Sequence, residues 1–264
     1  MATMSIGKAW EEAVAFVARE ATLLFPVALL FVALPGLILQ EMTPPELAAW
    51  SHSPTASTMP AVPLSYWLGL IVAVLLVWFG SLTLFALALR PGISVGEALR
   101  LGLNRLPVLI GTALVVIGAL MAAAMVLVTV MILLSLVSKP LAAGGGVLLG
   151  FGLVGLALFA SIRLMLLNPV VIDGSAGVMP SLRQSWSLTR GHFWRLLAFI
   201  LITLIVSAIA STAAQAIFGL IGGLIGGAEA ARLIGGVAGA VISTAIQVYM
   251  LVMIARLYRQ ALAD

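Results

Sequence analysis

Long stretches of apolar residues alternate along this chain with short segments that hold almost all of its charge. A helix needs about 20 apolar residues to cross the roughly 30 Å hydrocarbon core of a bilayer, because it rises 1.5 Å per residue. Six charge-free runs meet this length, so the sequence predicts six transmembrane helices. The runs are 21–40, 53–89, 106–138, 140–162, 196–228 and 233–255.

The interruptions between these runs predict how the helices are connected. Residues 41–63 form a loop rich in proline and serine, which places the start of the second helix near Leu64. Lys139-Pro140 alone separates the third and fourth runs, and 226–232 separates the fifth and sixth, so both pairs are expected to form tight hairpins. The third and fifth runs exceed one crossing but fall short of two, an excess that tilt, a kink or a protruding end would absorb.

The composition agrees with a lipid environment. Hydrophobic residues make up 63% of the chain and charged residues only 8%, whereas soluble domains carry about 25% charged residues. There is no cysteine, which excludes disulfides, thiolate chemistry and cysteine-based metal sites. We therefore expect residues 1–264 to form a single all-α integral membrane domain, a polytopic transmembrane helical bundle.

The distribution of lysine and arginine predicts the orientation of this bundle. Ten of them fall on the side that holds both termini, and only Lys139 and Arg232 fall on the other. Because cytoplasmic loops carry the excess of basic residues, both termini are expected in the cytoplasm, with the protein a multi-pass protein of the inner (plasma) membrane. Basic residues beside apolar runs favour anionic lipid headgroups as partners over nucleic acid.

Short segments on the predicted cytoplasmic side resemble one another. Residues 5–10 match residues 94–99 nearly position for position, and a weaker match lies at 182–183. Ser94 and Glu97 have the spacing of a capping box, which indicates a helix start. Because each segment precedes two apolar runs, the chain is expected to contain three repeats of an interfacial amphipathic helix followed by a transmembrane hairpin. The units are approximately 1–90, 91–177 and 178–264.

The third of these segments has the character of a helix that lies in the membrane interface. Leu182, Trp186 and Phe193 are expected to face the lipid, while Arg183 and Arg190 face water. The alternative is a cytoplasmic linker of ordinary polarity. The arginine content and the amphipathic pattern favour the interfacial helix.

The stretch 168–196 combines an acidic residue followed by glycine, a Ser-Trp pair, and a Gly-x-x-Trp-Arg motif directly before an apolar run. These elements are Asp173-Gly174, Ser185-Trp186 and Gly191-His192-Phe193-Trp194-Arg195. The stretch resembles the membrane domain of some bacterial glycerophosphoryl diester phosphodiesterases and its stand-alone relatives. The resemblance implies a multi-span scaffold. It carries over no phosphodiesterase activity, because the catalytic domain is absent here and no active-site residue maps onto this chain.

Arg163 is the one charge well inside an apolar run, and an intramembrane charge is a candidate functional site. It could hold a lipid phosphate or an anionic substrate between helices, since a guanidinium offers bidentate donors. The alternative, which we favour, is snorkelling, because Asn168-Pro169 is expected to end this span about one and a half turns later. The candidate residues for lipid or anion contact are Arg163, Arg183, Arg190, Arg195, Trp186 and Trp194.

Glycines recur every four residues in the last two runs. Gly219, Gly223 and Gly227 have this spacing, as do Gly235 and Gly239. Small residues so spaced let helix backbones approach closely. We favour packing between the fifth and sixth helices over homodimerisation, and flexibility for a gate is a third possibility.

The sequence contains no recognisable catalytic, cofactor or metal motif. His52 and His192 fall on opposite sides of the predicted membrane and so do not share a metal. We expect no cofactor and favour a non-catalytic membrane scaffold or accessory protein that interacts with lipids or a partner. A transporter or lipid-handling protein is the alternative, and an intramembrane enzyme acting on phospholipid or glycerophosphodiester is the second. The protein partner and any homo-oligomer stay open.

Overall fold

The computed structural model describes residues 5–52, 60–174 and 177–263, and these residues are helical throughout, with short connections and no strand. The side chains of His52 and Lys139 and part of the predicted loop 41–63 lie outside the described residues. The helices are α1 (Ile6–Ala28), a π-helical turn (Leu29–Ala33), α2 (Leu34–Met42), α3 (Pro45–His52), α4 (Leu64–Leu89), α5 (Val95–Val137), α6 (Lys139–Arg163), α7 (Leu167–Asp173), α8 (Val178–Leu188) and α9 (Phe193–Ala263).

Within the described residues, five helical segments are long and apolar enough to cross a membrane, as expected of a membrane protein of the all-α class. The predicted fold class is thereby confirmed at this level. The segments are Ile6–Met42, Leu64–Leu89, Val95–Leu136, Gly144–Asp173 and Phe193–Ala263.

The last segment reverses direction within its length. Its 71 residues include two non-helical positions, Gly226 and Gly227, and Gly227 has a φ of 72°, a conformation that side chains with a Cβ rarely adopt. On either side of this break, Gly235 packs against Gly219, although 16 positions separate them in sequence. We call 193–225 and 228–263 the first and second arms of α9.

The first half of α1 lies across the end of α9. The backbone N–H of Ser5 donates to Gln260 Oε1 (2.9 Å), and the ring of Phe16 lies 4.8 Å from the guanidinium carbon of Arg256. The backbone of α1 leaves helical geometry at Glu20 (φ −106°, ψ 16°), where the chain turns towards the bundle.

The buried core is concentrated at one end of the bundle. The last ten residues of α4, from Gly80 to Leu89, are all buried, as are five of the seven residues of α7. The second arm of α9 contributes Val248, Leu251 and the residues up to Tyr258 to the same core. We call this the basic end, because it also holds Arg19, Arg90, Arg163, Arg256 and Arg259.

The α5–α6 hairpin extends away from this core. With 43 residues, α5 is about 65 Å long, and no residue in its most hydrophobic window is buried. It begins at the predicted capping box, in which Ser94 Oγ accepts from the N–H of Glu97 (3.2 Å) and a Glu97 carboxylate oxygen accepts from the N–H of Ser94 (2.8 Å). The helix then continues through Pro107 without a break, so the second of the three short segments is not a separate helix, whereas α8 is.

Candidate anion site at the basic end

Arginines at the basic end cap the carbonyl ends of two buried helices. Arg259 Nη2 donates to the carbonyl oxygen of Leu89 at the end of α4, and Arg90 Nη2 donates to that of Ile172 in the last turn of α7 (3.4 Å). The final carbonyls of a helix lack intrahelical donors, and cations are favourable there. Tyr258 adds a hydrogen bond from its hydroxyl to Asp173 Oδ2 (3.0 Å). These contacts fix α4, α7 and the second arm of α9 relative to one another.

Arg163 is the last residue of α6, and its guanidinium lies against two aromatic rings. The guanidinium carbon is 5.1 Å from the centroid of Phe159 and 5.5 Å from that of Trp186. The two rings contact each other edge to face, with centroids 5.6 Å apart. Each cation–π contact contributes about 0.5–2 kcal/mol, with the larger values where water is excluded. The aromatic faces therefore hold the guanidinium in place but do not neutralise its charge.

The position of Trp186 depends on hydrogen bonds between α8 and the end of α6. Ser185 Oγ and Thr189 Oγ1 both donate to the backbone carbonyl oxygen of Arg163, at 3.2 and 3.1 Å. Both side chains are fully buried. Because they bracket Trp186 in sequence, they bring its ring onto Arg163. The hydroxyls also satisfy a helix-terminal carbonyl that has no intrahelical partner.

The charge of Arg163 has no counterion in the part of the chain that is described. Its Nε and Nη1 atoms are buried and make no hydrogen bond there. The ion pairs found within the described ranges are Arg19–Glu20 and Arg232–Glu41, and neither involves Arg163. Arg163 as a whole is half-buried, and leaving buried donors without a partner costs free energy, so these two nitrogens are open to an acceptor from outside the described residues. Nearby, between α8 and α9, His192 Nδ1 is also buried and unpartnered.

Arg256 repeats part of this arrangement on the other side of the basic end. Its guanidinium carbon lies 4.8 Å from the Phe16 centroid, and its Nε is likewise buried without a partner among the described residues. Arg19 also lies over the Phe16 ring, at 5.6 Å. Around Arg256, Arg259 and Arg19 repel its charge and Glu12 attracts it.

The structure brings together only two of the residues predicted to contact lipid or anions, Arg163 and Trp186. Arg183, Arg190 and Trp194 are exposed, and Trp194, at 77%, is among the most exposed large side chains. Arg195 is exposed too, although it does interact with another group. Two residues expected to face lipid instead contact protein. Leu182 packs on the core, and Phe193 stacks on Phe159 at 5.3 Å.

The five glycines singled out from the sequence lie in or beside the contact between the arms of α9. A Cβ on Gly235 would lie 2.8 Å from the carbonyl oxygen of Gln215 and 3.2 Å from the Cα of Gly219. Gly239 is covered by the side chain of Gln215, and a Cβ on Gly223 would be in ordinary contact with Ala231. Gly227 forms the break between the arms. Gly222 also belongs to this contact, because a Cβ there would lie 2.6 Å from the carbonyl oxygen of Ala230.

The remaining chemistry of the described residues is sparse. No group of three or more histidine, cysteine, aspartate or glutamate side chains in the described ranges is arranged to hold a metal ion. The fold and the basic end thus define an all-helical membrane protein in which Arg163, at that end, has no ion pair with another described residue.

The chain belongs to a family described as a domain of unknown function (DUF7847), whose model matches residues 4–261. No curated protein and no solved structure matches it.

Proposed function

We propose that this protein is a non-catalytic scaffold or accessory protein of the bacterial inner membrane that binds anionic phospholipid at its cytoplasmic face. The observation that carries the proposal is Arg163, whose guanidinium is held against Phe159 and Trp186 with two buried nitrogens unpartnered. A phosphate group supplies the negative charge and the acceptor oxygens that these nitrogens lack. The stretch 168–196 resembles the membrane domain of bacterial glycerophosphoryl diester phosphodiesterases. This resemblance supports the same role, because it implies a multi-span scaffold.

Phospholipid is the anion favoured by the position of Arg163. The residue closes α6 and lies beside the connection between α8 and α9, at the level where Trp186 and Trp194 are exposed. Tryptophan is enriched at the depth of lipid headgroups. Basic residues at this level attract anionic lipids, with a contribution of about 1 kcal/mol each. A headgroup phosphate would therefore reach Arg163 without entering the hydrocarbon core.

Replacement of Arg163 tests the proposal. In protein purified from membranes that contain phosphatidylglycerol, Arg163→Leu is expected to retain at least tenfold less bound anionic lipid by native mass spectrometry. Arg163→Lys keeps the charge but presents a smaller, more hydrated cation, so it should retain an intermediate amount. Arg100→Leu removes one exposed charge elsewhere on the predicted cytoplasmic side and serves as the matched control. Equal lipid retention in Arg163→Leu and Arg100→Leu would contradict the proposal.

The orientation that we propose has six crossings, with α9 crossing twice and both termini in the cytoplasm. The three units near 1–90, 91–177 and 178–264 would then each contribute two crossings. The break at Gly226 and Gly227 supports the double crossing, because it lets the two arms of α9 pack against each other.

Single cysteines test this orientation without background, because the natural chain has none. In intact spheroplasts, Glu229→Cys is expected to react with a membrane-impermeant maleimide, while Lys8→Cys and Ala263→Cys react only after the membrane is permeabilised. Reaction of Lys8→Cys and Ala263→Cys from opposite sides would show an odd number of crossings and would exclude the proposed orientation.

Transport of a small neutral solute is a second candidate function, favoured by one observation. A polar depression of about 220 Å³ lies between α2 and the arms of α9 and is lined by Gln40, Ser211, Gln215 and Ser243. The uncharged amide and hydroxyl groups that line this depression could form hydrogen bonds with such a solute. If vesicles that contain the reconstituted protein take up a small neutral solute, and Gln215→Leu abolishes this uptake, transport is favoured over the scaffold role.

A further inference from the structure

A groove of about 450 Å³ lies beneath the first turns of α1, on the side facing the arms of α9. One wall of the groove is formed by Ile6, Gly7 and Trp10 of α1. The other two walls are formed by residues 198–206 of the first arm and 246–253 of the second arm. Its lining is almost entirely apolar. This groove is separate from the aromatic contact around Arg163, which involves α6 and α8.

Apart from the Trp10 indole N–H and the Tyr249 hydroxyl, the lining offers few polar groups to a ligand. The one side-chain hydroxyl in the first arm's wall belongs to Thr203, and it already donates to the carbonyl oxygen of Phe199 (2.8 Å). The other side chains of that wall are alanine, phenylalanine, isoleucine and valine. A surface of this composition is complementary to a hydrocarbon chain, because it gains dispersion contacts and loses no hydrogen bonds.

The surroundings of the groove indicate where the polar end of its occupant would lie. The rings of Trp10 and Tyr249, both in its lining, are 6.0 Å apart, and such amphipathic rings prefer the depth of lipid headgroups. Each of the three wall segments has a basic residue within three sequence positions of a lining residue. Lys8 follows Gly7, Arg195 lies three positions before Ala198, and Arg256 lies three positions after Met253. The groove is therefore apolar inside, and each of its walls has a basic residue within one helical turn along the chain.

From this combination we propose that the groove holds one acyl chain of an anionic phospholipid, whose headgroup lies at the level of Lys8. The proposal rests on the proposed function in one respect, since both assign anionic lipid as the ligand. It adds a second and separate place of contact, between α1 and the α9 hairpin. A lipid held there would fasten the crossing segment of α1 to both arms.

Glycine positions offer a variant that fills the groove and a control for it. A Cβ on Gly7 would meet nothing within 4 Å, so the backbone there accepts a side chain, and Gly7→Leu adds bulk to the groove wall. Gly96 occupies the equivalent position in the matching segment 94–99 and is equally open, but it does not line the groove. Ala198→Phe reduces the volume of the groove from the opposite wall. As a second filling variant, it distinguishes loss of groove volume from an effect confined to the surroundings of Gly7.

The test uses the full chain in nanodiscs of phosphatidylglycerol whose acyl chain carries a photoreactive diazirine. After illumination, peptide mapping is expected to show adducts concentrated at Trp10, Tyr249 and Met250. Gly7→Leu and Ala198→Phe should each reduce these adducts at least fivefold, and Gly96→Leu should not. Unchanged adducts in both filling variants would overturn the proposal, and so would a lack of adducts at these residues in the unmodified chain. Arg163→Leu in the same assay should leave the groove adducts intact, which separates failure of this proposal from failure of the headgroup site.

Discussion

Replacing Gly235 with leucine is expected to separate the two arms of α9. A Cβ at this position would lie 2.8 Å from the carbonyl oxygen of Gln215 and 3.3 Å from the backbone nitrogen of Gly219. These are backbone atoms, which a rotamer change cannot move away. Overpacking of well-packed sites costs about 1–3 kcal/mol, and more where the backbone must shift. We expect a lower thermal unfolding temperature in detergent and loss of contact along the arms.

The adjacent residue provides the control. A Cβ on Gly236 meets nothing within 4 Å, so Gly236→Leu should leave the unfolding temperature nearly unchanged. Contact between the arms can be read with the pair Gly223→Cys and Ala231→Cys, because a Cβ on Gly223 would lie 3.5 Å from the Cβ of Ala231, within disulfide range. Oxidation should link this pair in the Gly236→Leu background and not in Gly235→Leu. Equal linkage in both would show that close packing at Gly235 does not hold the arms together.

The second large effect is expected from Phe85→Ala. Phe85 is 1% exposed in the last turns of α4, where that helix contacts the rest of the basic end. Truncation of a buried phenylalanine costs about 3–5 kcal/mol, because dispersion contacts are lost and the surrounding helices relax only partially into the cavity. The free energy of unfolding, measured by denaturant titration in mixed micelles, should fall by this amount.

Ile71 lies in the same helix but is 56% exposed, so Ile71→Ala serves as the comparison. It should change the free energy of unfolding by less than about 1 kcal/mol, as is usual for exposed positions. Similar losses for the two variants would mean that the core is not concentrated at the basic end.

The sequence predicts the all-helical, apolar character of the chain because the length of an uninterrupted apolar run is a local property. It predicts the ends of the helices less well. Asn168-Pro169 is predicted to end the fourth span, but the helix α6 ends earlier, at Arg163, and the candidate span continues through α7 to Asp173. Pro169 lies in the first turn of α7, where its missing N–H costs nothing. Pro107 in turn interrupts nothing in α5. In both cases, contacts with neighbouring helices decide whether the proline ends a helix. A single sequence does not show these contacts.

One contact of the candidate site can be predicted from the sequence, and the others cannot. The contact between Phe159 and Arg163 has the i, i+4 spacing of helix neighbours and can be inferred from sequence. The contact of Trp186 with Arg163 depends on the connections between α6 and α8, and that of Arg256 with Phe16 joins residues 240 positions apart. No local pattern indicates either of these contacts. The sequence therefore identified Arg163 and Trp186 as separate candidates, and only the fold shows that they form one arrangement.

A structure determined in lipid nanodiscs that contain phosphatidylglycerol tests the central claim most directly. We predict density for a phosphate group within hydrogen-bonding distance of the Arg163 guanidinium, beside Trp186. A guanidinium there that instead pairs with a carboxylate of the protein, or that contacts only water, would contradict the account of an anionic lipid bound at the basic end.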